Sequence, residues 1–116
     1  MAEVTIYHNP GCSTSRKVLA LLRELGHAPR VVEYLKTPPD RTALTGLLAK
    51  LGMTPGQLLR RKGALPGELG LETADDAAIL EAMLAHPVLI ERPIVVTDRG
   101  ARVGRPPDAV RDILPG

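Results

Sequence analysis

The residues of this sequence best placed to do chemistry lie in one stretch, His8-Asn9-Pro10-Gly11-Cys12-Ser13-Thr14-Ser15-Arg16, which holds the only cysteine of the chain. The preceding run Val4-Thr5-Ile6-Tyr7 alternates and reads as a strand, and the residues that follow read as an amphipathic helix. A thiol at such a strand-to-helix turn meets unpaired backbone N–H groups and the positive end of a helix dipole, and both favour the thiolate. The thiolate is the nucleophilic form, so Cys12 is positioned for covalent chemistry. A buried structural cysteine would pack as a small hydrophobe. Here the neighbours Pro10, Gly11, Ser13, Thr14 and Ser15 are turn and cap residues instead.

The spacing around Cys12 narrows that chemistry. A Cys-x-x-Cys redox pair would place a second cysteine at position 15, where Ser15 stands, so any redox cycle must borrow a thiol from outside. A phosphatase-type loop would place an arginine six positions after the cysteine. Arg16 comes at four and Val18 at six. His8 could tune the thiol or hold a proton near neutral pH, or could simply end a strand. Three arginines could hold an anion. Arg60 is read at a helix end beside Arg61 and Lys62, Arg92 precedes Pro93 at a strand start, and Arg105 precedes Pro106-Pro107 at a helix start. A cation at a helix start opposes the dipole. Each arginine alone reads as a structural or solvated residue rather than a catalytic one, whereas a tetrahedral oxyanion beside a thiolate would need several such forks. Pro93 is either an ordinary first-strand proline or a cis-proline facing the thiol, and its residue type leaves both open.

The elements that must position these residues follow from periodicity. Glu3–Tyr7 is expected as a first strand. In 13–25, Val18, Leu21, Leu22 and Leu25 make one helix face, stopped by Gly26. Arg30–Tyr34 is expected as a second strand, parallel to the first through a right-handed crossover. Leu44, Leu47, Leu48 and Leu51 give a helix closed by Gly52. Thr54-Pro55-Gly56-Gln57 opens another, with Thr as N-cap, Pro at N1 and Gln at N3, running through Lys62 to Gly63. Residues 64–71 read as a loop. Asp75 and Asp76 begin a further helix with Ile79, Leu80, Met83 and Leu84 on its face, ended by His86-Pro87. Pro93–Thr97 is expected as a strand, Asp98-Arg99-Gly100 as a hairpin turn, 101–104 as its partner strand, and Pro106–Leu114 as a closing helix. The expected architecture is a single α/β domain over 1–116 with a helical subdomain inserted over roughly 40–86.

Length and composition agree. At 116 residues the chain supports one core. Its apolar content of 44% and charged content of 24% argue against disorder. A net charge of +2, with Tyr7 and Tyr34 as the only aromatic residues, gives neither an electrostatic footprint nor stacking platforms for nucleic acid. A lone cysteine suits a reducing compartment. No apolar run approaches membrane-spanning length and no hydrophobic leader follows Met1, so a soluble cytoplasmic protein without membrane association is expected.

Five segments carry a family resemblance: Ile6–Arg16; Tyr34-Leu35-Lys36-Thr37-Pro38-Pro39; Leu58-Leu59-Arg60-Arg61-Lys62; His86–Thr97, which includes Glu91-Arg92-Pro93-Ile94-Val95-Val96; and Gly104-Arg105-Pro106-Pro107. Through them essentially the whole chain resembles the glutaredoxin-dependent arsenate reductases (the ArsC family), within the larger group that includes Spx-type transcription regulators. The resemblance implies a thioredoxin-like fold with an inserted helical subdomain. It implies Cys12 as nucleophile, Arg60, Arg92 and Arg105 as oxyanion-binding residues, His8 as the residue assisting the thiol, and Pro93 as the cis-proline near the site. It further implies arsenate as substrate, glutathione as co-substrate, glutaredoxin as partner, no bound cofactor or metal, and a monomer. The chain ends at Gly116, shorter than the best-studied arsenate reductases, and shorter relatives include thiol reductases. A glutathione-dependent thiol reductase without arsenate activity is therefore the alternative enzyme. An Spx-like regulator that binds RNA polymerase is the non-enzymatic one, with Ser15 in place of a second cysteine counting against it.

Overall fold

The computed structural model describes residues 3–115. In chain order its elements are β1 (Thr5–Tyr7), α1 (Ser13–Glu24), β2 (Arg30–Val32), α2 (Arg41–Leu51), α3 (Pro55–Leu58), α4 (Leu65–Glu68), α5 (Asp76–Ala85), a 3₁₀ turn (Pro87–Leu89), β3 (Ile94–Thr97), β4 (Gly100–Val103) and a 3₁₀ segment (Pro107–Ile113). They form two compact units. One is built from the described residues up to Thr37 and from Arg92 onward, the other is Pro38–Glu91.

The first unit holds a four-stranded sheet in the order β2-β1-β3-β4. β1 and β2 are parallel, as the crossover through α1 requires. β1 pairs antiparallel with β3, and β3 with β4. Val18, Leu19 and Leu22 of α1 form a buried cluster with Ile6, Val95, Val110 and Ile113. Loss of a fully buried aliphatic side chain from such a cluster costs about 2–5 kcal/mol. α1 ends in a Schellman motif. Gly26 takes φ 89°, its N–H donates to Arg23 O, and the His27 N–H donates to Leu22 O, each at 3.0 Å.

The register of the sheet is what assembles the site. Tyr7 pairs with Ile94, and Ile94 pairs with Val103. The chain leaving β1, the chain entering β3 and the chain leaving β4 therefore share one end of the sheet. Those three segments carry His8–Cys12, Arg92-Pro93 and Gly104-Arg105.

The second unit is helical. Asp40 caps α2 by accepting from the Ala43 N–H at 2.8 Å, and Asp75 caps α5 through the Ala78 N–H at 2.9 Å. Thr54 and Gln57 complete the expected capping box on α3. Arg41 and Glu81, from α2 and α5, make a two-pronged exposed ion pair.

Four local expectations are corrected. The second strand ends at Val32, not Tyr34, because the Lys36 and Thr37 N–H groups both donate to Glu33 O at 2.9 Å and close a turn. α3 stops at Leu58 and does not run to Lys62; Leu59 instead forms an antiparallel bridge with Ile90. Residues 65–68 form a helical turn within the expected loop. The closing helix is 3₁₀, whose three-residue repeat aligns the buried Val110 and Ile113. It is tied to β3 where the Thr97 hydroxyl donates to Ile113 O at 2.7 Å. No helix among the described residues is long and apolar enough to cross a membrane.

Candidate active site

Cys12 is the N-cap of α1, with extended backbone at φ −101° and ψ 122°. The turn before it is built locally. Asn9 Oδ1 accepts from the Gly11 N–H at 2.9 Å, and Asn9 O accepts from the Cys12 N–H at 3.0 Å. As a thiol, Cys12 closes no cap hydrogen bond, as expected of a weak acceptor. As a thiolate it is favoured by its surroundings. Partial burial pushes its pKa up, but the Ser15 backbone N–H, the Arg92 side chain, the Thr14 backbone N–H and the Arg105 charge together bring it below the ordinary cysteine value.

Two of the expected arginines meet the sulfur. Arg105 Nη2 lies 3.4 Å from Cys12 Sγ. Its Nε donates to the backbone carbonyl of Arg92 at 2.7 Å, which aims the guanidinium at the thiol. The Arg92 side chain also acts on the thiol, lowering its pKa. Two cations beside one another repel, and an anion between them relieves the repulsion. The Arg92–Pro93 peptide is cis, and so is Arg105–Pro106.

His8 is buried, at 6% exposure, and its Nδ1 lies 2.6 Å from Ser15 Oγ. Ser15 Oγ also accepts from the Asn9 N–H at 3.1 Å. Burial first, opposed by Glu33 and aided by Arg23 and Arg16, lowers the His8 pKa below its ordinary value. His8 is therefore neutral at neutral pH and contributes no positive charge to the thiolate.

Arg60 lies in the second unit. It is placed not by a helix but by the Leu59–Ile90 bridge, and it is ion-paired with Glu91 at 2.8 Å. Among the described residues no group of three or more His, Cys, Asp or Glu side chains is arranged to hold a metal ion.

Two residues near the sulfur were not identified as site residues from sequence. Ser15, read as a missing second cysteine, is fully buried and joins the helix start to His8 and Asn9. Gly104 donates its N–H to Pro93 O at 2.8 Å, and a Cβ there would fall 2.7 Å from Val18 Cγ2 and 3.0 Å from Pro93 Cγ. Gly104→Ala is expected to destabilise by about 1–3 kcal/mol, since it overpacks a filled core. It should also impair turnover by displacing the adjoining Arg105; urea unfolding with parallel kinetics checks both.

The electrostatics predict a pH profile. A depressed pKa keeps Cys12 ionised, and thus alkylated by iodoacetamide, to lower pH than an ordinary cysteine; the rate falls only below that depressed pKa. Arg105→Ala removes a favourable charge and should move the midpoint upward. A wild-type midpoint at or above that of a free cysteine would contradict the assignment.

Comparison with known proteins agrees with the residue-level reading. The model of the ArsC family matches residues 7–113. The arsenate reductase of Rhizobium meliloti is 52% identical over 114 residues, covering 97% of this chain and 81% of that protein. That of Escherichia coli K12 is 45% identical over 117 residues, covering 99% and 83%. The solved arsenate reductase of Vibrio cholerae superposes with a TM-score of 0.91 at 48% identity, over 97% of this chain and 98% of that one. The architecture is the α/β, thioredoxin-like fold of these structures. With residues 7–113 matched by the family model and a relative 52% identical over 97% of this chain, the chain belongs to the ArsC family.

Proposed function

We propose that this chain is an arsenate reductase, an oxidoreductase that converts arsenate to arsenite with Cys12 as its nucleophile. The observation that carries the reading is the sulfur at the N-cap of α1, 3.4 Å from Arg105 Nη2. The thiolate attacks arsenic, an S–As bond forms, and an oxygen leaves as water. Arg92 and Arg105 neutralise substrate charge and the charge that develops on oxygen. Arg60 is the third anion-binding arginine of this proposal, supported by the family resemblance of Leu58-Leu59-Arg60-Arg61-Lys62.

Reduction of arsenic(V) to arsenic(III) takes two electrons, and the chain has one cysteine. Two external thiols supply them. Glutathione attacks the Cys12-bound arsenic, and glutaredoxin then attacks the glutathione sulfur. The two external sulfurs leave as a disulfide and the bonding pair stays on arsenic, now arsenic(III); water then hydrolyses the Cys12–arsenic bond, which releases arsenite and returns Cys12 as the thiol. His8 acts through Ser15, holding the start of α1 so that its N–H groups face the sulfur. Pro93 immediately precedes β3 and follows Arg92. No bound cofactor or metal enters the cycle, and the protein works as a cytoplasmic monomer.

The test is arsenate-dependent NADPH oxidation coupled through glutathione reductase, glutathione and glutaredoxin. Turnover should require arsenate and both thiol donors. Cys12 that reacts readily with glutathione disulfide, in an enzyme that never turns over arsenate, would replace this reading with a thiol reductase.

A further inference from the structure

Glu91 immediately precedes Arg92 in sequence, and its side chain reaches Arg60. Glu91 Oε1 accepts from Arg60 Nη1 at 2.8 Å, with the two side chains only 24% and 14% exposed. The backbone fixes both ends of this pair. The Arg60 N–H donates to Leu89 O at 2.8 Å and the Glu91 N–H donates to Leu58 O at 3.0 Å, on either side of the Leu59–Ile90 bridge. The carboxylate engages Nη1 and so one edge of a guanidinium that has donors on more than one edge.

We propose that Glu91 is a positioning and specificity-setting residue for the anion that Arg60 takes: it holds the arginine in place while cancelling much of its charge. The inference rests on the reading of Arg60 as an arsenate-binding residue. A bare, half-buried guanidinium attracts any anion by charge. A guanidinium already paired with a carboxylate attracts weakly at a distance and rewards only an oxyanion that satisfies its remaining N–H donors in the right geometry. Glu91 thus trades affinity for selectivity against common anions such as sulfate.

The discriminating substitution is Glu91→Gln, which keeps an acceptor oxygen for Arg60 and removes the charge. The KM for arsenate should fall about three- to tenfold, with a larger tightening of competitive inhibition by sulfate, and the effect should appear in KM rather than kcat. Glu91→Ala removes the anchor too, so its KM should lie above that of Glu91→Gln. Arg60→Ala should raise KM, and adding Glu91→Gln to it should change nothing further, because the pair acts as one unit. If Arg60→Ala raises KM while Glu91→Gln leaves KM and sulfate inhibition unchanged or weaker, this inference falls and the arginine assignment stands. A wild-type KM in Arg60→Ala overturns both.

Discussion

Cys12→Ser is expected to lose arsenate-dependent turnover by at least about 10⁴-fold, the scale seen when a covalent nucleophile is removed, and to keep its fold. The second half of the expectation separates chemistry from structure. Cys12 is the N-cap of α1, and serine is among the preferred residues there, whereas cysteine is not. The variant should therefore melt no lower than the parent and give the same circular dichroism spectrum. Its hydroxyl, under the same N–H groups and arginines, stays protonated at neutral pH and is a poor nucleophile. A folded Cys12→Ser protein that still reduced arsenate would remove the sulfur from the mechanism altogether.

The next largest effects are expected at Arg92 and Arg105. Removal of one preorganised donor from an oxyanion site costs about 10²–10³-fold in rate, and each Arg→Ala variant should fall in that range for kcat/KM. Arg105→Lys should recover only part. The Arg105 guanidinium bonds the Arg92 carbonyl through Nε and reaches Cys12 Sγ through Nη2. An ammonium is a point charge on a flexible stem and cannot hold both geometries at once. A kcat/KM within twofold of wild type in both alanine variants would contradict the anion-binding role.

The sequence revealed those parts of the protein that local pattern specifies. The βαβ start, the cap and stop of α1, the capping box at Thr54 and the acidic cap at Asp75 all depend on residues within a turn or two of each other. The misreadings fall where distant partners decide. Leu58–Lys62 has good helix formers, but Leu59 finds its backbone partner in Ile90, thirty-one positions away, and the helix ends. That changed the setting of Arg60 from a helix end to an extended segment held by Glu91. The pairing of β1 with β3, which brings Cys12 and Arg92 to one sheet end, is equally non-local. Ser15 was legible as a cap-region residue, but its burial against His8 depends on how strand and helix pack. Gly104 gave no local signal, because the need for glycine comes from Val18 and Pro93 rather than from its own backbone angles.

The position of Cys12 at a helix start bears on the end of the cycle as well as its beginning. Whatever stabilises a thiolate also makes it a good leaving group, since the rate of expulsion rises as the pKa of the departing thiol falls. When Cys12 is tied to another sulfur, the helix N–H groups and two arginines draw electrons towards the protein side of the bond. An incoming thiol that attacks the far sulfur thus expels Cys12 readily. A lone cysteine with no internal partner is in this way returned to its reactive state by the same groups that first activated it, and adducts with small thiols become short-lived resting states rather than dead ends.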